Sequence, residues 1–324
     1  MKNPYAVVFL ILALLMVIMA CEEKPTEPDP QRTRENAIPA DAVKMTPATD
    51  IYPPVCHSAD WEQPVPMPGP VNTAGAEDAP VISPDGTTFI FFWTPDVDVP
   101  PEKQLIDGVT GVWWCRFEQG EWTEPQRAVL NDDLALDGPV CLEGSTLWFV
   151  SARLGNLREL DVYTAERSGN VWTNWQNAGE LLNIDYRVGE LYITGDGATM
   201  YYHSNMDSGL GGTDIWKINK IDDKWQPPVN LGPVINTALD EGWLYISQNG
   251  SELWFTRWSS KGYAGPAIFR SRLVNGHWSV PEEIISNFAG DPGLDAEGNI
   301  YYTHHFFNSE GKMIEADIYV AYRK

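Results

Sequence analysis

Carboxylates recur at one place in this chain. Glu77 and Asp78, Asp137, Glu190, Asp240 and Glu241, and Asp291 each stand at or just ahead of a short apolar run. Such a set admits several kinds of chemistry. One ionised and one protonated acid, about 6.5–9.5 Å apart with a water between, can hydrolyse a glycosidic bond. Clustered hard oxygens can hold calcium, and Asp207 with Asp214 in a Gly-rich loop offers a second place for it, although no EF-hand spacing is present. Acids repeated at one position can also simply accept backbone N–H groups in turns.

Other side chains with functional capacity fall near the same positions: Trp93, Arg153, Asn205, Asp207, Trp243, Trp258, His304 and His305. Of these, Trp93, Arg153, Asn205, Trp243, Trp258 and His304 are the binding candidates, with the tryptophans as a stacking platform. His304 and His305 are adjacent, so on a strand they point to opposite sides and at most one faces a shared site. The chain has no Gly-x-Ser-x-Gly, no nucleotide-binding glycine loop and no convincing Ser/His/Asp set.

The elements that position these residues repeat about every fifty residues. Each unit has a short apolar strand, a turn ending in Gly86, Gly144, Gly197, Gly250 or Gly298, an aromatic-rich strand, a loop and a third alternating strand. A fourth strand follows, marked by Trp61, Trp122, Trp172, Trp225 or Trp278. β-Branched and aromatic runs bounded by Gly, Asn and Asp, with no helical period, predict an all-β chain. Trp-x-x-Pro occurs at Trp61, Trp122, Trp225 and Trp278, which suits an edge strand; Trp172 lacks the proline.

One tryptophan strand precedes the first full unit, and the last unit ends at Lys324 without one. This offset predicts a single five-bladed β-propeller over residues 51–324, closed by pairing of the segment near Trp61 with the strand ending at Arg323. In such a meander the start of strand one and the end of strand two share a face. All the candidates above would then lie on that face.

Ser83-Pro84-Asp85-Gly86, Ser204-Asn205 before Gly209, Gly211 and Gly212, Asp214-Ile215-Trp216, and Trp225 through Asn230-Leu231-Gly232 to Ile235-Asn236-Thr237 resemble WD40-like propeller repeats of the TolB type. The resemblance covers about residues 55–324 and is best in the third unit. It implies a binding or scaffold module, or a subunit of an envelope complex, and leaves activity open. The inner-strand acids also resemble those of five-bladed furanosidase-like glycosidases. On that resemblance Asp78 would be the general base, Asp137 the residue that tunes pKa and orientation, and Glu190 the general acid.

The first residues read as an export signal. Lys2 precedes fifteen apolar residues from Ala6 to Ala20, shorter than the roughly 20 a membrane span needs. Ile18-Met19-Ala20-Cys21 resembles a bacterial lipoprotein cleavage box, which implies a signal peptide over 1–20 and lipidation of Cys21. Glu22 rather than Asp after the cysteine implies, by the same resemblance, the outer membrane. Residues 21–50 are polar and proline-rich and predict a disordered tether.

The net charge of −23 repels phosphate backbones, so nucleic acid is excluded as a partner. The expected partners are an envelope protein or a glycan, with membrane contact through the lipid. No cofactor is expected, apart from the calcium weighed above. Cys56, Cys115 and Cys141 show no zinc spacing and are expected as buried small apolar residues.

Overall fold

In the computed structural model, residues 33–131 and 134–324 are described. Cys21 and the apolar run before it lie outside them. Among the described residues no helix is long and apolar enough to cross a membrane.

The chain is nearly all β and runs as five antiparallel meanders. Unit one comprises Ala76–Ile82, Thr88–Thr94, Gly111–Glu118 and an outer edge of Glu121–Trp122 and Gln126–Arg127. Unit two has Ala135–Glu143, Thr146–Arg153, Asp161–Ser168 and Val171–Asn177. Unit three has Leu191–Ile193, Thr199–Ser204 and Asp214–Ile221, edged by Lys224–Trp225 and Val229–Asn230. Unit four has Gly242–Ile246, Glu252–Trp258 and Pro266–Val274, edged by His277–Trp278 and Glu282–Ser286. Unit five has Ala289–Leu294, Ile300–Phe307 and Met313–Ala321.

The prolines explain the outer edges. Pro125, Pro228 and Pro281 fall in the gaps that split the fourth strands of units one, three and four, because proline cannot donate to a ladder. Unit two has no proline there, and Val171–Asn177 is unbroken.

Strands two and three are tied by aromatic cross-strand pairs at matching positions: Phe91↔Trp113, Phe149↔Tyr163, Tyr202↔Trp216, Phe255↔Phe269 and Tyr302↔Tyr319. Such pairs each add about 0.2–1 kcal/mol over small residues. The marker tryptophans also hold matching positions, opposite Phe117, Arg167, Lys220 and Leu273. They join neighbouring units as well: Trp172 packs edge-on to Trp114 at 6.3 Å, and Trp278 to Tyr201 at 6.1 Å.

Unit five has no tryptophan of its own after strand three. Trp61 supplies it, bridging antiparallel to Arg323, with Val65↔Val320 and Pro66↔Tyr319 next along the edge. Its ring lies edge-on to Trp254 of unit four at 5.5 Å, and its Nε1 donates to the Gly298 carbonyl at 2.8 Å. Just before this, Val55–Cys56 adds to the outer edge of unit four through Val55↔Ser286 and Cys56↔Ile285. The first strands contact one another in a closed order, unit one to two, two to three, three to four, four to five and five to one.

The tether expectation for 21–50 needs correction over its described part. Residues 33–50 dock on units one and five. Thr33 caps the short helix Arg34–Ala37. Arg34 is buried beneath it, with its guanidinium over Phe91 and Trp113 and hydrogen bonds to the Val71 and Pro70 carbonyls. Lys44 pairs with Glu315 and Asp317. Asp50 pairs with His304 at 2.8 Å. Polarity and proline content predicted disorder because they carry no record of buried counter-ions that lie more than 250 residues away in sequence.

Candidate functional site

At the hub, the first strands are not regular. Their pairing with strand two slips between Asp78 and Val81, Pro139 and Cys141, Gly242 and Tyr245, and Gly290 and Gly293. Three of these bulges place a non-glycine residue at positive φ: Ala79 at 50°, Trp243 at 46° and Asp291 at 55°. Left-handed backbone is unfavourable for such residues by about 1–2 kcal/mol each. A bulge re-aims side chains, and strain of this kind gathers where side chains must be aimed at a site.

All three residues line one cavity of about 250 Å³. Its wall also holds Asp78, Glu190, His203, Asn205, Arg158, Arg187 and His305. Asp78 is half-buried; its Oδ1 accepts the Ala79 N–H at 2.8 Å and lies 3.9 Å from His305 Nε2. The Asp291 N–H donates to Thr256 Oγ1 at 3.1 Å.

Glu190 and His203 are locked to each other. The His203 N–H donates to the Glu190 carbonyl at 3.1 Å, and the Glu190 N–H points at His203 Nε2 at 3.4 Å. The Trp243 N–H approaches the other ring nitrogen at 3.2 Å. Gly189 and Gly242 flank this ring closely; a Cβ on Gly189 would fall 2.3 Å from His203 Nε2. The imidazole therefore fits only because both neighbours lack side chains.

Burial dominates the electrostatics. It raises Glu190 to about 8, with the Asp78 charge adding to the effect. It raises Asp291 well above the usual carboxylate range, again with help from Asp78 and Glu190. It lowers His203 to about 4 and lowers His305, against the pull of Asp78. These shifts favour the uncharged forms of two carboxyls and two imidazoles at the hub. These groups can donate and accept hydrogen bonds and pass a proton.

The structure brings Asp78, Glu190, Asn205, Trp243, Asp291 and His305 into this cavity and leaves Asp137, Trp93, Arg153, Trp258 and His304 outside its lining. Asp137 is buried and engaged: Arg153 donates to it at 2.7 Å and Asn131 at 2.8 Å. Arg153 in turn lies over the Tyr163 ring at 4.3 Å. Trp93 is fully buried, its Nε1 donating to Thr73 Oγ1 at 3.0 Å, so it offers no surface for stacking. Trp258 is exposed at the end of the second strand of unit four and does not line the cavity.

Of the adjacent histidines, His305 faces the cavity and His304 does not. His304 is fully buried against Asp50, Phe306 and Tyr319. Asp291 and His305 were visible in sequence as members of the face but not as the lining pair. His203, Arg158 and Arg187 had no signal beyond position; Gly189 beside Glu190 and Gly242 before Trp243 are the traces that His203 leaves.

The repeated acids divide by role. Glu77 accepts from the Thr73 N–H at 3.0 Å and its hydroxyl at 2.6 Å, and Glu241 accepts from Thr237 in the same way at 2.9 and 2.6 Å. These are repeat-built loop caps. Asp214 accepts from the Leu210 and Gly211 N–H groups and from Asn230, while Asp207 is exposed and faces Arg187. The two do not converge as calcium ligands. Among the described residues no group of three His, Cys, Asp or Glu side chains is placed to hold a metal ion. Cys56, Cys115 and Cys141 are free and buried.

No protein-family model matches this chain, and no curated protein matches it. Among solved structures it is similar to an exo-β-1,3-galactanase from Clostridium thermocellum, at 11% identity and a TM-score of 0.48 over 79% of this chain and 62% of that one. It is similar to a xylan β-1,4-xylosidase from Bacillus halodurans C-125, at 9% identity and 0.44 over 75% of this chain and 52% of that one. It is also similar to a subtype N11 neuraminidase-like protein of A/flat-faced bat/Peru/033/2010 (H18N11), at 11% identity and 0.37 over 80% and 90%. The chain thus spans less than two thirds of the length of the first two.

Proposed function

We propose that this chain is a five-bladed β-propeller, fastened by its own N-terminal segment, that binds the end of a glycan in its hub cavity as a recognition module of the bacterial cell envelope. The closed order of first-strand contacts and the Trp61–Arg323 bridge support the blade count and the closure. Lipidation at Cys21, outer-membrane anchoring and the TolB-type kinship rest on the sequence alone.

The observation that carries the functional reading is the bulged hub itself. Three strained backbone positions aim Asp78, Trp243, Asp291 and their neighbours into one cavity. At about 250 Å³ it falls just below the roughly 300–1,000 Å³ of drug-sized sites. That suits a terminal sugar rather than a protein loop. Polar hydrogen-bonding groups around one aromatic face are what a sugar ring requires. Titration calorimetry of the full chain against envelope-derived and plant oligosaccharides tests this, and absence of heat across the panel would contradict it.

A second reading, glycoside hydrolysis, is favoured by one feature: Glu190, raised to about 8, is an acid poised to donate a proton beside Asp78. Asp137 does not line the cavity, and Asp291 is the third acid there. Under this reading Glu190→Gln abolishes release of sugar while binding persists. A parent protein that releases nothing from any bound oligosaccharide leaves recognition alone.

A further inference from the structure

The chain carries 45 acidic residues and 22 lysines and arginines, yet two arginines, Arg158 and Arg187, line the hub cavity. Their partners differ from those of Arg153 and Arg270, which pair closely with carboxylates. Arg153 meets Asp137 at 2.7 Å, and Arg270 meets Glu282 at 2.8 Å. Arg158 instead donates Nη1 to the Asn183 carbonyl at 2.9 Å. The nearby Asp161 is engaged by the Leu157 and Arg158 N–H groups and by Asn177. Arg187 reaches Asp207 at 3.8 Å, a contact in which Asp207 is 96% exposed and easily displaced.

A guanidinium has five N–H donors in a planar fork. The interactions above leave most of the donors of both groups directed elsewhere. Arg187 also sits at φ 48°, a strained position two residues before the Gly189 that makes room for His203.

Three acids share the described cavity lining with this pair: Asp78, Glu190 and Asp291. Burial raises the pKa of Glu190, to about 8, and of Asp291, and lowers those of His203 and His305, so it favours the uncharged form of each. Burial lowers the Arg158 pKa; the Asp161 charge opposes this, and the neighbouring Arg187 adds to it. Two like charges held together at a cavity are relieved by an anion between them.

We propose that the cavity takes an acidic sugar, a hexuronate or its like, with the carboxylate seated between Arg158 and Arg187 and the ring against Trp243. This rests on the glycan-binding reading above and names its ligand class. A bidentate carboxylate matches the arginine fork, and the protonated acids opposite would donate to sugar hydroxyls without repelling the ligand's charge.

The test is calorimetric titration of the full chain with D-glucuronate and D-galacturonate, their methyl esters, and glucose and galactose. At least one uronate should bind tenfold or more tightly than its methyl ester, with affinity falling as salt rises. In Arg158→Gln/Arg187→Gln the acid and the ester should bind alike. Arg187→Gln alone, at a largely exposed position, keeps the test valid if the double variant melts early. An acid and ester that bind equally to the parent protein overturn the carboxylate assignment and leave sugar binding standing. Binding of none of the six compounds overturns both.

Discussion

Glu77 and Asp78 are neighbours in sequence and belong to two different regions. Asp78 looks into the hub cavity. Glu77 points the other way, into the seam between units five and one, with Asp317, Glu315, Lys44 and Arg34 around it. Both regions gather carboxyls, and desolvation raises the pKa of Glu77, Glu315 and Asp317 at the seam and of Glu190 and Asp291 at the hub. The seam supplies cations and loop N–H groups from the N-terminal segment and so turns its acids into fasteners. The hub acids meet backbone N–H groups, the His305 ring and each other, on a strained frame. Acids that serve the fold come with partners; acids left without them mark where a ligand belongs.

The largest expected effect sharpens the seam side. Trp61→Ala removes a buried ring packed on Trp254 and under the Arg323 and Arg270 guanidiniums. A loss of about 3–5 kcal/mol is expected, read by denaturant unfolding. An unchanged midpoint would mean that the ends of the chain do not fasten the ring.

Next is Lys44→Met, which strands Glu315 and Asp317 without their shared cation. Breaking a buried pair costs about 3–5 kcal/mol; Lys44 is 35% exposed, so about 2–3 kcal/mol is expected here. For a chain of this size that is roughly 4–10 °C in melting temperature. Lys44→Arg should recover most of it.

A smaller effect follows from pH. Burial, with the Asp317 charge, raises Glu77 to about 8, and burial raises Glu315 to about 7 despite Lys44. An acid whose folded-state pKa is raised stays protonated after the unfolded chain has ionised. Its contribution is therefore intact below the ordinary 4.5 and is lost as pH climbs toward 8. Melting temperature should fall across that window, and Glu77→Gln, which fixes the neutral form, should flatten part of the slope. Glu190 slopes in the same sense, so the seam's share is the difference between Glu77→Gln and the parent. An identical slope in the variant would place the titrating groups elsewhere.

The sequence made the repeating all-β sheets legible because each unit repeats its own punctuation: glycine turns, aromatic pairs and an outer tryptophan, followed in most units by a proline that breaks the edge. Trp61 could be assigned to the last unit because that unit lacks one. The hub was legible as a face but not as a set of side chains. Alternation says that His304 and His305, or Glu77 and Asp78, point apart, but not which one points inward. Bulges at Ala79 and around Asp291 decide that, and a one-residue slip reverses every assignment beyond it. Trp93 read as a stacking residue of the shared face, but it lies in a strand whose side chains are all buried. Lys44 and Arg34 lay in a stretch whose composition suggested no structure, since their partners enter only through the fold.

The contrast between seam and hub is tested most directly by two neutralised variants melted side by side at neutral pH. One is Asp78→Asn/Glu190→Gln/Asp291→Asn at the hub; the other is Glu77→Gln/Glu315→Gln/Asp317→Asn at the seam. The hub variant should melt at or above the parent temperature, because the raised pKa of Glu190 and Asp291 opposes folding, and the seam variant, which strands Lys44, should melt below it. A hub variant that loses stability while the seam variant keeps it would contradict the account.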